Sequence, residues 1–242
     1  SPRLAATRVQ HAQSDIELRW RARPGAGIDP LHLETLAREL LVDLRARIEE
    51  RINCDEAFLT SLDPLPLSQA PAASQSEPRT KGESTILDSM LFASTLAGTG
   101  PMAAVAGAIA SSMGKSLLGR FPLAELVVEN GGDLWFHTDS PLRVRVDAAL
   151  SSLSGKIALV LPPRSGGCAC SSAKAGPSLS LGRADAAVVV HKDAACADAL
   201  ATALCNRIKH DEDLEEAVNY FYGKDFRDSG TRGVLAVKGA RL

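Results

Sequence analysis

Between Asp88 and Lys115 the chain runs through residues 89–114 without a single charged side chain. A stretch of that length is taken out of water either by a bilayer, which needs ~20 consecutive apolar residues, or by a protein core. Its composition decides between them. Gly98, Gly100, Pro101 and Gly107 interrupt it, Ser and Thr are frequent, and large aliphatics are few. Ala, Gly and Ser contribute little to membrane insertion, so the expectation is two tightly packed core helices and no membrane span. One helix opens at Ser84, followed by Asp88, and runs to about residue 96; Gly98-Thr99-Gly100-Pro101 separates it from a second over 102–118.

The same bias extends along the whole chain. Its 242 residues include 37 Ala and 19 Gly, while aromatic residues make up only 4%. Hydrophobic residues reach 45%, enough for a full core without disulfide staples and too many for a disordered chain. Lys and Arg total 27 against 29 Asp and Glu, a net charge of −2 that argues against a dedicated nucleic-acid binder. Five cysteines, at 54, 168, 170, 196 and 205, are an odd number with no secreted-framework spacing. With no apolar core in SPRLAATRVQHAQSD to suggest a signal peptide, reduced thiols in a cytoplasmic protein are the expectation.

Local patterns place the remaining elements. SDIELRWRA (14–22) alternates as a half-buried strand. Asp29-Pro30 is an N-cap followed by proline at the first helical position, and Leu33, Leu36, Leu40, Leu44 and Ile48 mark the apolar face of a long helix. Residues 63–84, rich in Pro, Ser and Ala, read as a connection, with a mobile loop expected at 64–84 within one domain spanning 1–242. ELVVEN (125–130) and DLWFHT (133–138) flank Gly131-Gly132 as a hairpin. Strands at 142–147, 155–162, 184–191 and 233–238, a loop at 163–182 and helices at 194–209 and 211–222 complete the reading. Adjacent strands broken by helix pairs predict an α+β fold with a largely antiparallel sheet.

Several motifs fail on context. Gly114-Lys115-Ser116 lacks the earlier glycine of a phosphate loop and lies inside a helix. Ser178 and Ser180 lack the flanking glycines of a nucleophile elbow, and the five histidines (11, 32, 137, 191, 210) are scattered and read as exposed. Cys168-Ala169-Cys170 is one C-x-C without the second cluster a zinc site needs. Cys196 and Cys205 lie nine apart, on opposed faces of a helix. Asp198 and Thr202, at i and i+4, share a helix face where a carboxylate and a hydroxyl converge, an oxygen pair of the kind Mg²⁺ prefers.

Four segments, GPMAAVAGAIA (100–110), VENGGDLW (128–135), CSSAKAGPSLSLGRADAAVVV (170–190) and ADALATALCNRI (197–208), occur in an order that resembles one family. This is the uncharacterised ApbE-like protein family of bacteria and archaea, distantly related to the FAD:protein FMN transferases (ApbE, thiamine-biosynthesis lipoprotein-like). SDIEL (14–18) and FLTSLDPLPL (58–67) extend the resemblance over nearly the whole chain. It implies an ApbE-like, T-fold-related architecture with helix pairs packed on the sheet. It further implies that Asp198 and Thr202 match the D-x-x-x-T pair that holds Mg²⁺ beside the FAD pyrophosphate. Asn130, Gly131, Gly132 and Asp133 are similar to the transferases' N-A-G-G-D turn. Cys170, Ser171 and Ser172 correspond to their T-S-G loop, with Gly176 and Ser178 in the segment that follows.

The departures are equally specific. Ala104-Val105 stand where transferases carry Lys-Gly, Gly176-Pro177-Ser178 replaces the G-H-S of nearer relatives, and the H-x-x-D/N-P-x-T-G substrate loop has no counterpart. The resemblance therefore implies binding of FAD, FMN or another nucleotide or phosphate-bearing small molecule, with Mg²⁺, and assigns no catalytic residue. The alternative is a non-catalytic accessory protein of sulfur or amino-acid metabolism, using Cys168 and Cys170. No nucleic acid and no membrane enter as partners; a homodimer is an arrangement the Ala-rich helices allow.

Overall fold

The computed structural model describes residues 4–66, 85–172 and 182–242. Nine strands and seven helices are formed among them: β1 (Ala5–His11), β2 (Ser14–Ala22), α1 (Pro30–Cys54), α2 (Ala57–Thr60), α3 (Ile86–Ala97), α4 (Val105–Arg120), β3 (Leu123–Asn130), β4 (Asp133–Thr138), β5 (Leu142–Val146), β6 (Ile157–Leu161), β7 (Arg164–Ser171), β8 (Ala186–His191), α5 (Ala194–Arg207), α6 (Asp213–Phe221), α7 (Lys224–Ser229) and β9 (Thr231–Val237). Seven strands make one antiparallel sheet in the order β1-β2-β3-β4-β7-β8-β9, and β5 pairs only with β6. The expected α+β class with a largely antiparallel sheet is what the chain adopts.

Strand alternation sends the side chains of the sheet into two cores. On one face Ile16, Leu18, Trp20, Leu126, Val128 and Trp135 meet α1, α3 and α4, while Ala187 and Val189 continue the packing against α5. The other face, with Val127, Phe136, Val188 and Val190, is covered by the β5–β6 hairpin through Val146 and Leu161. The uncharged stretch lies in the first of these layers. Pro101–Arg120 is long and apolar enough to cross a membrane by length and composition alone, and half of it is buried inside the protein.

Caps and turns follow the sequence closely. The Asp29 carboxylate accepts from the Leu31 amide at 3.0 Å, and Pro30 opens α1. Its buried stripe is Leu33, Ala37, Leu41, Leu44 and Ile48, so Leu36 and Leu40 flank the interface instead of filling it. The cap of α3 is Thr85, one residue beyond the expected Ser84, in a reciprocal capping box with Asp88. The helix expected from residue 102 begins as a 3-10 turn at Pro101–Ala104 before α4 proper. Gly131 and Gly132 both have positive φ, 63° and 104°, as a two-residue hairpin turn with Asn130 paired to Asp133 requires.

One expectation is overturned outright. The loop assigned to 163–182 holds strand β7 over its first half, in the middle of the sheet between β4 and β8. Its glycines were misleading because they serve close packing and not a turn. A Cβ on Gly167 would lie 2.3 Å from Cα of Ala194, so only glycine lets the start of α5 rest on β7. Strand β1 and helix α7 are further elements the sequence reading omitted.

Candidate functional site

The residues singled out from sequence come together where β3, β4, β7, α4 and α5 meet. Helix α5 starts under an Asp193 cap and carries Asp198 and Thr202 one turn apart, both buried, with 9% and 8% exposure. It can bring them there because its neighbours are stripped of side chains. A Cβ on Gly107 would fall 2.2 Å from the Ala194 carbonyl oxygen and 2.9 Å from Cβ of Asp198. Without one, the Gly107 amide reaches the Asp198 carboxylate and donates to Oδ2 at 2.9 Å.

The glycine turn frames the opposite side. Asn130, buried at the end of β3, donates through Nδ2 to the Ala106 carbonyl at 3.3 Å, tying the turn to the start of α4. Gly131 and Gly132 are exposed. Asp133 is partly buried at the start of β4, and its Oδ1 accepts from the Cys170 amide at 3.3 Å. Ser171, the last residue of β7, is buried, and its hydroxyl has no hydrogen-bond partner. Ser172 is buried beside it. Gly176 and Ser178 lie outside the described residues.

Electrostatics set these carboxylates apart. Burial pushes Asp198 up to about 7, against the pull of main-chain hydrogen bonds from Gly107 and Ala106. Asp133 is raised well above the usual carboxylate range, first by burial and then by the charge of Asp198, with the Cys170 amide opposing. Among the described residues no Lys, Arg or His forms an ion pair with either. Two carboxylates held out of water, with Asp198 adding to the cost of ionising Asp133 and Thr202 buried one turn along the same helix, form a set of oxygen donors of the kind hard cations prefer. The described residues contain no cluster of three or more His, Cys, Asp or Glu that could hold a metal, so any metal held here would draw on hydroxyl and main-chain oxygens as well.

The thiols are unlike this. Cys168 is buried facing the β5–β6 hairpin, and burial raises it to about 12; Cys170 is raised equally, by burial and then by Asp133. Neither is a thiolate near neutral pH. None of the five cysteines is in a disulfide among the described residues, and Cys196 and Cys205 fall in separate cores as their opposed faces predict. Lys115 pairs with Asp193 at 3.4 Å, and Gly114 packs on Trp135 inside α4, so no phosphate loop forms there. Among the histidines the sequence misjudged His191, which is fully buried at the end of β8.

Sequence reasoning also undervalued Gly107. A lone glycine inside an Ala-rich helix is the mark of a close helix contact, and here that contact delivers an amide to the buried carboxylate.

Comparison with known proteins bears on the fold and the family. The family model described as AbpE bacteria matches residues 2–220. The chain is 38% identical over 209 residues to a UPF0280 protein of Methanosphaerula palustris, covering 86% of this chain and 79% of that relative. It is 40% identical over 208 residues to a UPF0280 protein of Archaeoglobus fulgidus, covering 84% and 78%. Its fold is similar to the flavin transferase ApbE from Vibrio cholerae, with a TM-score of 0.52 at 13% identity over 97% of both chains. It is also similar to the Pseudomonas stutzeri flavinyl transferase ApbE in its apo form, with a TM-score of 0.53 at 14% identity over 97% of this chain and 94% of that one. At such identities the structural likeness is one of fold, whereas the family match and the relatives' identities go further: the chain belongs to the AbpE bacteria family, an ApbE-like family distantly related to the flavin transferases.

Proposed function

We propose that this protein binds a flavin nucleotide, FAD or FMN, or a related phosphate-bearing ligand, together with Mg²⁺, in the cleft between the glycine turn and α5. The observation that carries the reading is the pair Asp133 and Asp198, two partly or fully buried carboxylates with no cationic side chain bound to them. Asp198 and Thr202 would hold the cation, with Asp133 and the unpartnered Ser171 hydroxyl as further oxygen donors. Mg²⁺ would supply the charge that neutralises phosphate oxygens, which this near-neutral chain does not provide with Lys or Arg.

The chain's own residues do the positioning. Gly107 and Ala106 hold the Asp198 carboxylate by their amides, and the Cys170 amide holds Asp133. The exposed Gly131-Gly132 turn offers main chain that a phosphate or a ring edge can approach closely. Where flavin transferases carry Lys-Gly, this chain has Ala104 buried at the end of the 3-10 turn and Val105 opening α4. The proposal is therefore ligand binding with no assigned catalytic residue.

Calorimetric titration of FAD and of FMN with and without Mg²⁺ tests it. Saturable, Mg²⁺-dependent binding with Kd below ~100 μM is expected, since cofactor affinities lie in the micromolar range or tighter. Asp198→Asn should weaken it by ~100-fold and Thr202→Val by ~10-fold, in line with losing a charged and a neutral ligand. No heat and no change in flavin fluorescence at ~100 μM would refute the reading.

A further inference from the structure

A second cavity opens around the corner of α5, between the C-terminal ends of α3 and α5 and the α6–α7 pair. It encloses about 380 Å³. Tyr220, Phe221 and Phe226 form an aromatic wall, with ring centroids 5.1–5.4 Å apart. Arg207 lays its guanidinium over the Tyr220 ring, 3.9 Å from the centroid. Gly98, Thr99 and Ala203 add small residues to the lining.

Each of these features is incomplete in the free protein. Stacking on Tyr220 pins the guanidinium in one plane while leaving its fork of donors unused, and no carboxylate pairs with Arg207 among the described residues. The rings offer flat apolar surface, of which Tyr220 remains 47% exposed. The small residues beside the rings leave room next to Arg207 for a planar group.

We infer that this cavity is a second ligand site, taking a small planar aromatic carboxylate: the ring against Tyr220 and Phe226, and the carboxylate on Arg207. It is separate from the cleft proposed above. Arg207 lies about 14 Å beyond Asp198 along the helix at ~1.5 Å per residue, and about 140° around the axis from Thr202. None of Asp133, Asp198 or Thr202 lines the cavity.

Titration with 2-naphthoate tests the assignment, with 2-naphthalenemethanol as the uncharged control and cyclohexanecarboxylate as the non-planar one. A saturable Kd on the order of 0.1–1 mM is expected for a probe of this size, with both controls at least ~5-fold weaker. Arg207→Gln should weaken 2-naphthoate ~10-fold or more, as the loss of a charge-assisted hydrogen bond does. Arg207 is exposed, so its variant keeps the fold. Asp198→Asn and removal of Mg²⁺ should leave this binding unchanged. Absence of saturation by 10 mM, equal binding of the uncharged control, or loss of binding in Asp198→Asn would each overturn the proposal, and none of them depends on whether the cleft binds a flavin.

Discussion

Strand β3 carries a buried carboxylate near one end and leads into a second carboxylate site at the other, and the two have opposite electrostatics. Near its start, Glu125 is 5% exposed. Burial alone would raise it, yet Ser140 and Arg21 donate to it, Arg21 from 3.3 Å, and together with Asp139 they hold it at about 2. Beyond its far end, across the glycine turn, burial raises Asp133 and Asp198, the charge of Asp198 raises Asp133 further, and no cationic side chain among the described residues pairs with either. Both sites withdraw carboxylates from water, but of the two only Glu125 meets a counter-charge among the described residues. A completed ion pair is structural, whereas raised acids beside a turn of exposed glycines are what the cation site proposed above would use.

The strongest way to break this contrast is to remove the close approach that creates the cleft. Gly107→Val would force a side chain into the Ala194 carbonyl and into Asp198. It should cost about 3 kcal/mol of stability, at the upper end for overpacking, and abolish flavin binding. Urea denaturation and calorimetry would show both losses. A variant of wild-type stability that still binds would mean that the two helices are free to separate.

pH separates the two ends next. In the unfolded chain Asp198 reverts to the ordinary carboxylate range, while folded it titrates at about 7. Between those values the native state holds a proton that the unfolded state has released. Its contribution is therefore full at low pH and lost as pH rises to 7, a fall of about 2 kcal/mol between pH 5 and pH 7 in metal-free protein. Excess Mg²⁺ should flatten that slope, and Asp198→Asn should remove the share of Asp198 while leaving that of Asp133, which is raised as well. Glu125 has the reverse sign: its contribution is present above the ordinary carboxylate range and disappears as pH falls towards 2. A metal-free stability curve that is flat from pH 5 to 7 would place Asp198 in an ordinary environment.

How much of this was legible beforehand differs between fold and site. Caps, alternation and the hairpin glycines are local signals, so the start of α1 and the bounds of β2, β3 and β4 could be read within a residue or two. Strand β7 could not, because Gly166 and Gly167 answer to Arg232, Phe136 and Ala194, which are distant in sequence. In the site, the spacing of Asp198 and Thr202 announced a shared helix face. What it could not announce was the Gly107 amide, 91 residues away, or the proximity of Asp133 that makes the pair electrostatically costly.

A smaller effect sharpens the contrast from its structural end. Replacing Arg21 with Met leaves Glu125 its hydrogen bonds from Ser140 but removes the counter-charge. Arg21 is 28% exposed and bridges to the exposed Asp139 as well, so solvent screens part of the loss and only a small destabilisation is expected in urea denaturation. Flavin affinity should not change, since the substitution lies at the other end of the strand.

The smallest expected effect concerns the thiols. Cys170 contributes its amide to Asp133, while its sulfur, raised to about 12, is almost wholly protonated at neutral pH. Cys54 is exposed at the end of α1. Iodoacetamide at pH 7.5 should therefore label Cys54 first and leave Cys168 and Cys170 unmodified in the native protein, as peptide mapping would show. Because only the Cys170 backbone serves the cleft, Cys170→Ser should retain flavin binding within ~2-fold, inside the range of a lost weak contact. A Cys170 that alkylates as fast as Cys54, or a serine variant that loses its ligand, would shift the chemistry of the cleft from its carboxylates to its sulfur.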